Sequence, residues 1–272
     1  MNILFIGGGN MAAAIIGGLV SRDWPATSIH AVDVQAEARS GLERRFGILT
    51  SADSAGAVAN AECVVLAVKP QQMREVARGI AARIGDRLVI SIAAGLRCTD
   101  LSRWLGNSKH IVRAMPNTPA LVAAGITGLY GMPEVTAAQR SAAERILAAV
   151  GTTFWVKEER DLDAVTAVSA SGPAYVFYFI EALEQAALEL GMTPQAARQS
   201  AIATFAGAVK LASNDGTDPA VLRERVTSKG GTTERAIGLL DQAGVRDAFK
   251  RAVHGAAARA AELGDTLGKD QA

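Results

Sequence analysis

Histidine and cysteine are scarce. His30, His110 and His254 lie far apart in a chain of 272 residues. They form no His–Cys or His–carboxylate cluster at metal-ligand spacing, so the sequence calls for no metal. Cys63 and Cys98 stand without CxxC spacing, in or beside strand-like segments. They read as core thiols of a reducing compartment, which points to the cytoplasm and excludes a disulfide scaffold. A charge excess is also missing: 28 Lys and Arg stand against 27 Asp and Glu, net +1. With no basic cluster, nucleic acid and anionic membranes are poor partners. The apolar runs stop well short of a bilayer span, and no secretion signal opens the chain. Ser–His–Asp sets and paired carboxylates are absent too, which excludes the common hydrolytic constellations.

What is present starts at residue 3. Ile3 to Ile6 is an apolar run that reads as a buried strand, and Gly7, Gly9 and Ala12 follow at G-x-G-x-x-A spacing. A helix of small residues runs from 13 to 20. This is the strand–turn–helix that binds dinucleotides. Gly7 allows the tight turn, Gly9 lets backbone N–H groups approach a pyrophosphate, and Ala12 lets helix and strand pack closely. The helix N-terminus adds partial positive charge and free donors. Ile6, Gly7, Gly8, Gly9, Asn10 and Met11 are therefore candidate cofactor contacts.

Strands and helices alternate through the first 156 residues. Further strands are expected at 29–34, 47–50, 63–68, 88–92, 110–115, 126–130 and 152–156, with helices at 71–83, 99–105 and 136–150. Such alternation implies a mainly parallel sheet covered by helices. The pattern changes at the charged turn 157–160, beyond which no strand is expected. Helices are expected at 161–190, interrupted at 171–173, and at 194–213, 219–226, 232–243 and 245–263, with fraying at 268–272. The fold class is thus α/β, a Rossmann-type domain over 1–158 and an all-helical domain over 159–272. The segment 174–180 is apolar or aromatic on every side and holds two of the three Tyr and two of the seven Phe. A helix apolar all round must be buried all round. A helical half of about 110 residues can barely enclose one of its own helices, so a second subunit is expected to cover it; the alternative cover is the α/β half.

Asp33 comes 21 positions after Ala12, where an acidic residue meets the adenosine ribose hydroxyls in NAD-type sites. A carboxylate there repels a 2′-phosphate and leans towards NADH; a plain turn Asp is the other reading. Ligands in parallel sheets bind beyond the carboxyl ends of strands. That rule selects Ala67, Val68, Lys69 and Pro70, then Ala93 and Ala94 before Gly95, then Met115, Pro116 and Asn117. Small residues at 93–95 admit a flat ring, and Asn117 offers a bond to a carboxamide. Finally, 227–234 (Thr-Ser-Lys-Gly-Gly-Thr-Thr-Glu) leads straight into a helix. Alone it reads as capping. Beside a dinucleotide site it becomes a candidate for a small anion such as a carboxylate.

These stretches together resemble the pyrroline-5-carboxylate reductase family over essentially the full length. The resemblance rests on Phe-Ile-Gly-Gly-Gly-Asn-Met-Ala at 5–12, Ala-Val-Lys-Pro at 67–70, Ser-Ile-Ala-Ala-Gly-Leu at 91–96 and Arg-Ala-Met-Pro-Asn-Thr-Pro at 113–119. Ser-Gly-Pro-Ala-Tyr at 171–175 and Thr-Ser-Lys-Gly-Gly-Thr-Thr at 227–233 complete it. It implies hydride transfer from NADPH or NADH to the C=N bond of pyrroline-5-carboxylate, giving proline. It also implies a homodimer through the helical domain, with dimers assembling into decamers, and a site between the nucleotide loop and the 227–233 loop. By motif, Ser228, Gly230, Gly231 and Thr232 would hold the substrate carboxylate, and Thr233 would bond the ring nitrogen as the catalytic residue. Ala170, Lys229 and Ser54 depart from the family's usual glycine, proline and asparagine. Ser54 and Asp33 leave the choice of cofactor open: Asp33 leans to NADH or dual use, and the family resemblance leans to NADPH. A 3-hydroxyacid dehydrogenase is disfavoured, because no Lys or His stands at the start of the helical half. A nucleotide sensor is disfavoured by two intact loops.

Overall fold

The computed structural model describes residues 1–54, 56–214 and 216–269. Two compact units emerge: Met1–Ser171 with the chain from Ala256 onward, and Gly172–Gly255. The first unit holds the strands β1 (Ile3–Ile6), β2 (Ile29–Val32), β3 (Leu49–Ser51), β4 (Cys63–Leu66), β5 (Leu88–Ser91), β6 (Ile111–Met115), β7 (Gly125–Gly131) and β8 (Gly151–Trp155). They form one sheet in the order β3-β2-β1-β4-β5-β6-β7-β8. Neighbours are parallel except β6 and β7. The link 116–124 is too short for a crossover helix, so β7 must return antiparallel. Every residue of β1, β4 and β5 is buried, as expected of strands covered on both faces.

Covering this sheet are α1 (Asn10–Val20), α2 (Ala36–Phe46), α3 (Pro70–Ile84), α4 (Cys98–Trp104) and α5 (Ala137–Leu147). The α5 start is a capping box: Thr136 accepts from the Gln139 N–H and the Gln139 side chain accepts from the Thr136 N–H. Three sequence expectations need correction. α2 was not anticipated, because only Leu42 of its eleven residues is buried and its apolar stripe is too thin to show as periodicity. Because α2 runs to Phe46, the strand expected at 47–50 starts later, at Leu49. β2 stops at Val32, so Asp33 and Val34 belong to the following turn.

After β8 come α6 (Asp161–Val165) and a π-helical turn (Thr166–Ala170), still in the first unit. The packing division thus falls at Ser171 and not at 158, because ion pairs tie 159–163 to the sheet domain. The second unit contains α7 (Gly172–Glu189), α8 (Pro194–Asn214), α9 (Pro219–Arg225), α10 (Thr232–Gln242) and the first part of α11 (Val245–Leu267). No residue of α7 is buried, and Phe177 and Tyr178 are 66% and 68% exposed. Tyr175 and Phe179 pack on Phe249, and the face carrying Phe177 and Tyr178 is left uncovered by this chain. The second half of α11, from Ala256 onward, belongs to the first unit. Fraying expected at 268–272 is not seen at Gly268 and Lys269, whose carbonyls accept from Arg103 and Arg74 at 2.7 and 2.5 Å; 270–272 lie outside the described residues. Among the described residues, no helix is long and apolar enough to cross a membrane.

Candidate active site

The carboxyl ends of β1 to β4 open onto a cleft of about 420 Å³. Ile6, Gly7, Gly8, Gly9, Asp33, Ser54, Ala67, Val68 and Lys69 all line it. The remaining residues expected around the dinucleotide lie outside that lining. Asn10 and Met11 open α1, Pro70 opens α3, Ala93 and Ala94 follow β5, and Met115, Pro116 and Asn117 end or follow β6. Since β4, β5 and β6 run parallel, these last five sit at the same carboxyl edge of the sheet.

The cleft fits a dinucleotide on three counts. Gly7 has φ +104°, and a Cβ there would stand 2.7 Å from the Ala67 carbonyl carbon and oxygen, so only glycine permits this β1 turn to cross β4. A Cβ on Gly9 would meet nothing within 4 Å, so the approach to its backbone is open. The N-terminus of α1 has no side-chain cap and no acidic residue in its first turn. Its leading N–H groups thus keep their donors for an anion. Asp33 binds the loop itself: Oδ2 accepts from the Gly8 N–H at 2.7 Å and Oδ1 from the Gln35 N–H at 2.8 Å. The Arg39 guanidinium donates to the Asp33 and Val34 carbonyls, at 2.7 and 3.1 Å.

In the second unit, Ser228, Gly230, Gly231, Thr232 and Thr233 gather at the start of α10. Gly231 is the N-cap, with no side-chain cap. The Gly230 N–H already donates to a carboxylate, Glu234 Oε2, at 2.7 Å. That bond is ordinary capping at a helix start, and the Gly231 N–H closes a turn onto the Ser228 carbonyl at 3.0 Å. Asn117, expected to offer its carboxamide to a ligand, is committed to the protein. Its Nδ2 donates to the Ser169 carbonyl at 3.1 Å, its Oδ1 accepts from the Ile126 N–H at 2.9 Å, and it is 8% exposed.

A partly buried charge network lies outside the sequence expectations. Arg97 forks onto Asp163, with nitrogen–oxygen distances of 3.2 and 2.9 Å. Arg113 pairs with Glu159 at 3.2 Å, and Glu159 also accepts from the Cys98 N–H at 2.7 Å. Burial acts to lower the Arg97 pKa, but the Asp163 bond and the charges of Asp163, Glu159 and Asp265 outweigh it and raise it. The available signal was Arg113, a lone cation inside an apolar strand. Such a residue needs a buried anion.

Glycine turn, open helix N-terminus and acidic turn after β2 define a Rossmann-type NAD(P)-dependent oxidoreductase. Residues 2–95 match a family model described as NADP oxidoreductase, coenzyme F420-dependent, and 159–263 match one described as pyrroline-5-carboxylate reductase dimerisation. A pyrroline-5-carboxylate reductase of Pseudomonas aeruginosa is 44% identical over 98% of both chains. A solved pyrroline-5-carboxylate reductase from Coxiella burnetii superposes with TM-score 0.92 at 40% identity, covering 96% of this chain and 98% of that one. The Plasmodium falciparum pyrroline carboxylate reductase, solved with NADP bound, shares the fold at TM-score 0.86 and 24% identity, covering 97% and 98%. The chain belongs to the pyrroline-5-carboxylate reductase family.

Proposed function

We infer that this chain reduces the C=N bond of 1-pyrroline-5-carboxylate with NAD(P)H, giving L-proline, the last step of proline biosynthesis. The observation that carries the reading is the uncapped α1 N-terminus at a cleft lined by Gly7, Gly8, Gly9 and Asp33, in a chain of this family. Bound reduced nicotinamide supplies the hydride, and the imine brings its own proton as an iminium. The chain therefore needs no strong acid; its task is orientation. The α1 N–H groups hold the pyrophosphate, and the turns at 93–94 and 115–117 flank the nicotinamide. Ser228 and the backbone at Gly230, Gly231 and Thr232 hold the carboxylate, displacing Glu234 from the Gly230 N–H. Thr233 orients the ring nitrogen. Residues 1–158 carry dinucleotide binding and 159–272 carry substrate binding and dimerisation.

The test is the loss of reduced-nicotinamide absorbance with pyrroline-5-carboxylate as substrate. Turnover supports the reading; tight NADH binding without turnover would indicate a sensor. Thr233→Ala is expected to lower kcat/KM roughly 10- to 1000-fold, and unchanged kinetics would remove its role.

NADH leads NADPH in this proposal. Asp33 and Asp53 line the cleft beyond β2 and β3, whereas Lys69 lies beyond β4. The adenosine ribose falls on the β2 side in such folds, so a 2′-phosphate would meet the Asp33 and Asp53 carboxylates there, opposed by the Arg39 guanidinium held on the same turn. The protein is further proposed to assemble from dimers into a decamer, as the family resemblance implies, checked by sedimentation velocity. A cytoplasmic location fits two free, buried cysteines and is checked by fractionation.

A further inference from the structure

The turns that flank the nicotinamide in the reading above are both bolted to one segment, 159–170. The turn after β5 is tied by the Arg97 fork onto Asp163 and by the Cys98 N–H onto Glu159. The turn after β6 is tied by Asn117 Nδ2 on the Ser169 carbonyl, and β6 itself by Arg113 on Glu159. The sequence makes that carbonyl available. Its α-helical donor would be the N–H four residues on, but residue 173 is proline and has none. The π turn closes instead by Ser171 N–H to the Thr166 carbonyl at 2.9 Å. A π turn at such a place often marks function. Behind the fork lies α11. A Cβ on Gly264 would stand 2.5 Å from Arg97 Nε and 2.6 Å from its carbon Cζ, so glycine leaves the groove in which the guanidinium rests.

We propose that Arg97 is a positioning residue for hydride transfer: its fork onto Asp163, seated against Gly264, fixes the 92–97 turn so that the nicotinamide end of the cofactor is held in one place. This rests on the assignment of 93–94 and 115–117 to the nicotinamide. The test uses Arg97→Lys, which keeps the charge and loses the fork, and Gly264→Ala. The latter keeps every charge, favours the helix and pushes directly on the guanidinium end of Arg97. Binding of NADH and of ADP-ribose, which lacks the nicotinamide, is measured on the whole protein without substrate. Both variants are expected to weaken NADH about tenfold and leave ADP-ribose within about twofold. Their kcat is expected to fall about 10- to 100-fold while KM for the imine holds. Equal loss for both ligands would make Arg97 merely structural and overturn the proposal, as would no loss for either. Wild-type protein binding NADH no more tightly than ADP-ribose would instead overturn the nicotinamide assignment beneath it.

Discussion

Asp33 holds the Gly8 N–H with one carboxylate oxygen and the Gln35 N–H with the other, so it cannot turn from the cleft without releasing the glycine turn. A 2′-phosphate brought to the β2 end therefore meets a fixed negative charge, and one unfavourable charge contact of about 1.4 kcal/mol is tenfold in affinity. Asp33→Ser should lower the ratio of kcat/KM with NADH to kcat/KM with NADPH at least about tenfold. An unchanged ratio, measured side by side, would move cofactor choice elsewhere. The cysteines allow a second check. Cys63 is fully buried, and burial, then Glu62, pushes its thiol well above the ordinary range. Cys98 is raised by burial and then Glu159, with Arg113 opposing. Both stay protonated and non-nucleophilic at neutral pH. A thiol reagent should leave the native protein unlabelled and modify both residues after denaturation.

The turn from β1 to α1 has the least latitude of any element at the cleft. Gly7→Ala would add a methyl 2.7 Å from the Ala67 carbonyl at a φ of +104°, so either this turn or the end of β4 must move. Strain of about 1–3 kcal/mol is expected, with NADH affinity lowered more than about tenfold and the sheet retained. Fluorescence titration beside a melting curve checks both, and normal binding would refute the steric argument. The strands and most helices were legible in the sequence because burial follows their apolar pattern. α2 was not, since its solvent-facing charges hide a single buried leucine. Nor were the pairings that shape the site: Asp33 with Gly8 spans 25 residues, Asn117 with Ser169 spans 52, and Arg97 with Asp163 spans 66. Periodicity reports which face is buried, and partner choice at such separations is decided by tertiary geometry.

At the scale of the whole molecule, α7 needs more than one chain. Its sequence over 174–180 has no polar face, yet Phe177 and Tyr178 stay about two-thirds exposed, with Val209 and Leu211 of α8 exposed to similar degree at 61% and 64%. Burying a side chain such as Phe177 contributes about 1.5–3 kcal/mol, so this surface favours association strongly, and the dimerisation match over 159–263 covers it. The expected dimer therefore has α7 at its centre, where a charge cannot be desolvated without a partner. Phe177→Glu is expected to convert the assembly to monomer by size-exclusion chromatography with light scattering. Proline synthesis should fall with it, because the substrate loop belongs to the same helical unit. NADH binding should survive, since the residues assigned to the dinucleotide all lie in the first unit, whose core is independent of α7. A dimer that persists in this variant would place the interface on another face, and loss of NADH binding together with the dimer would show that the two units do not hold their ligands independently.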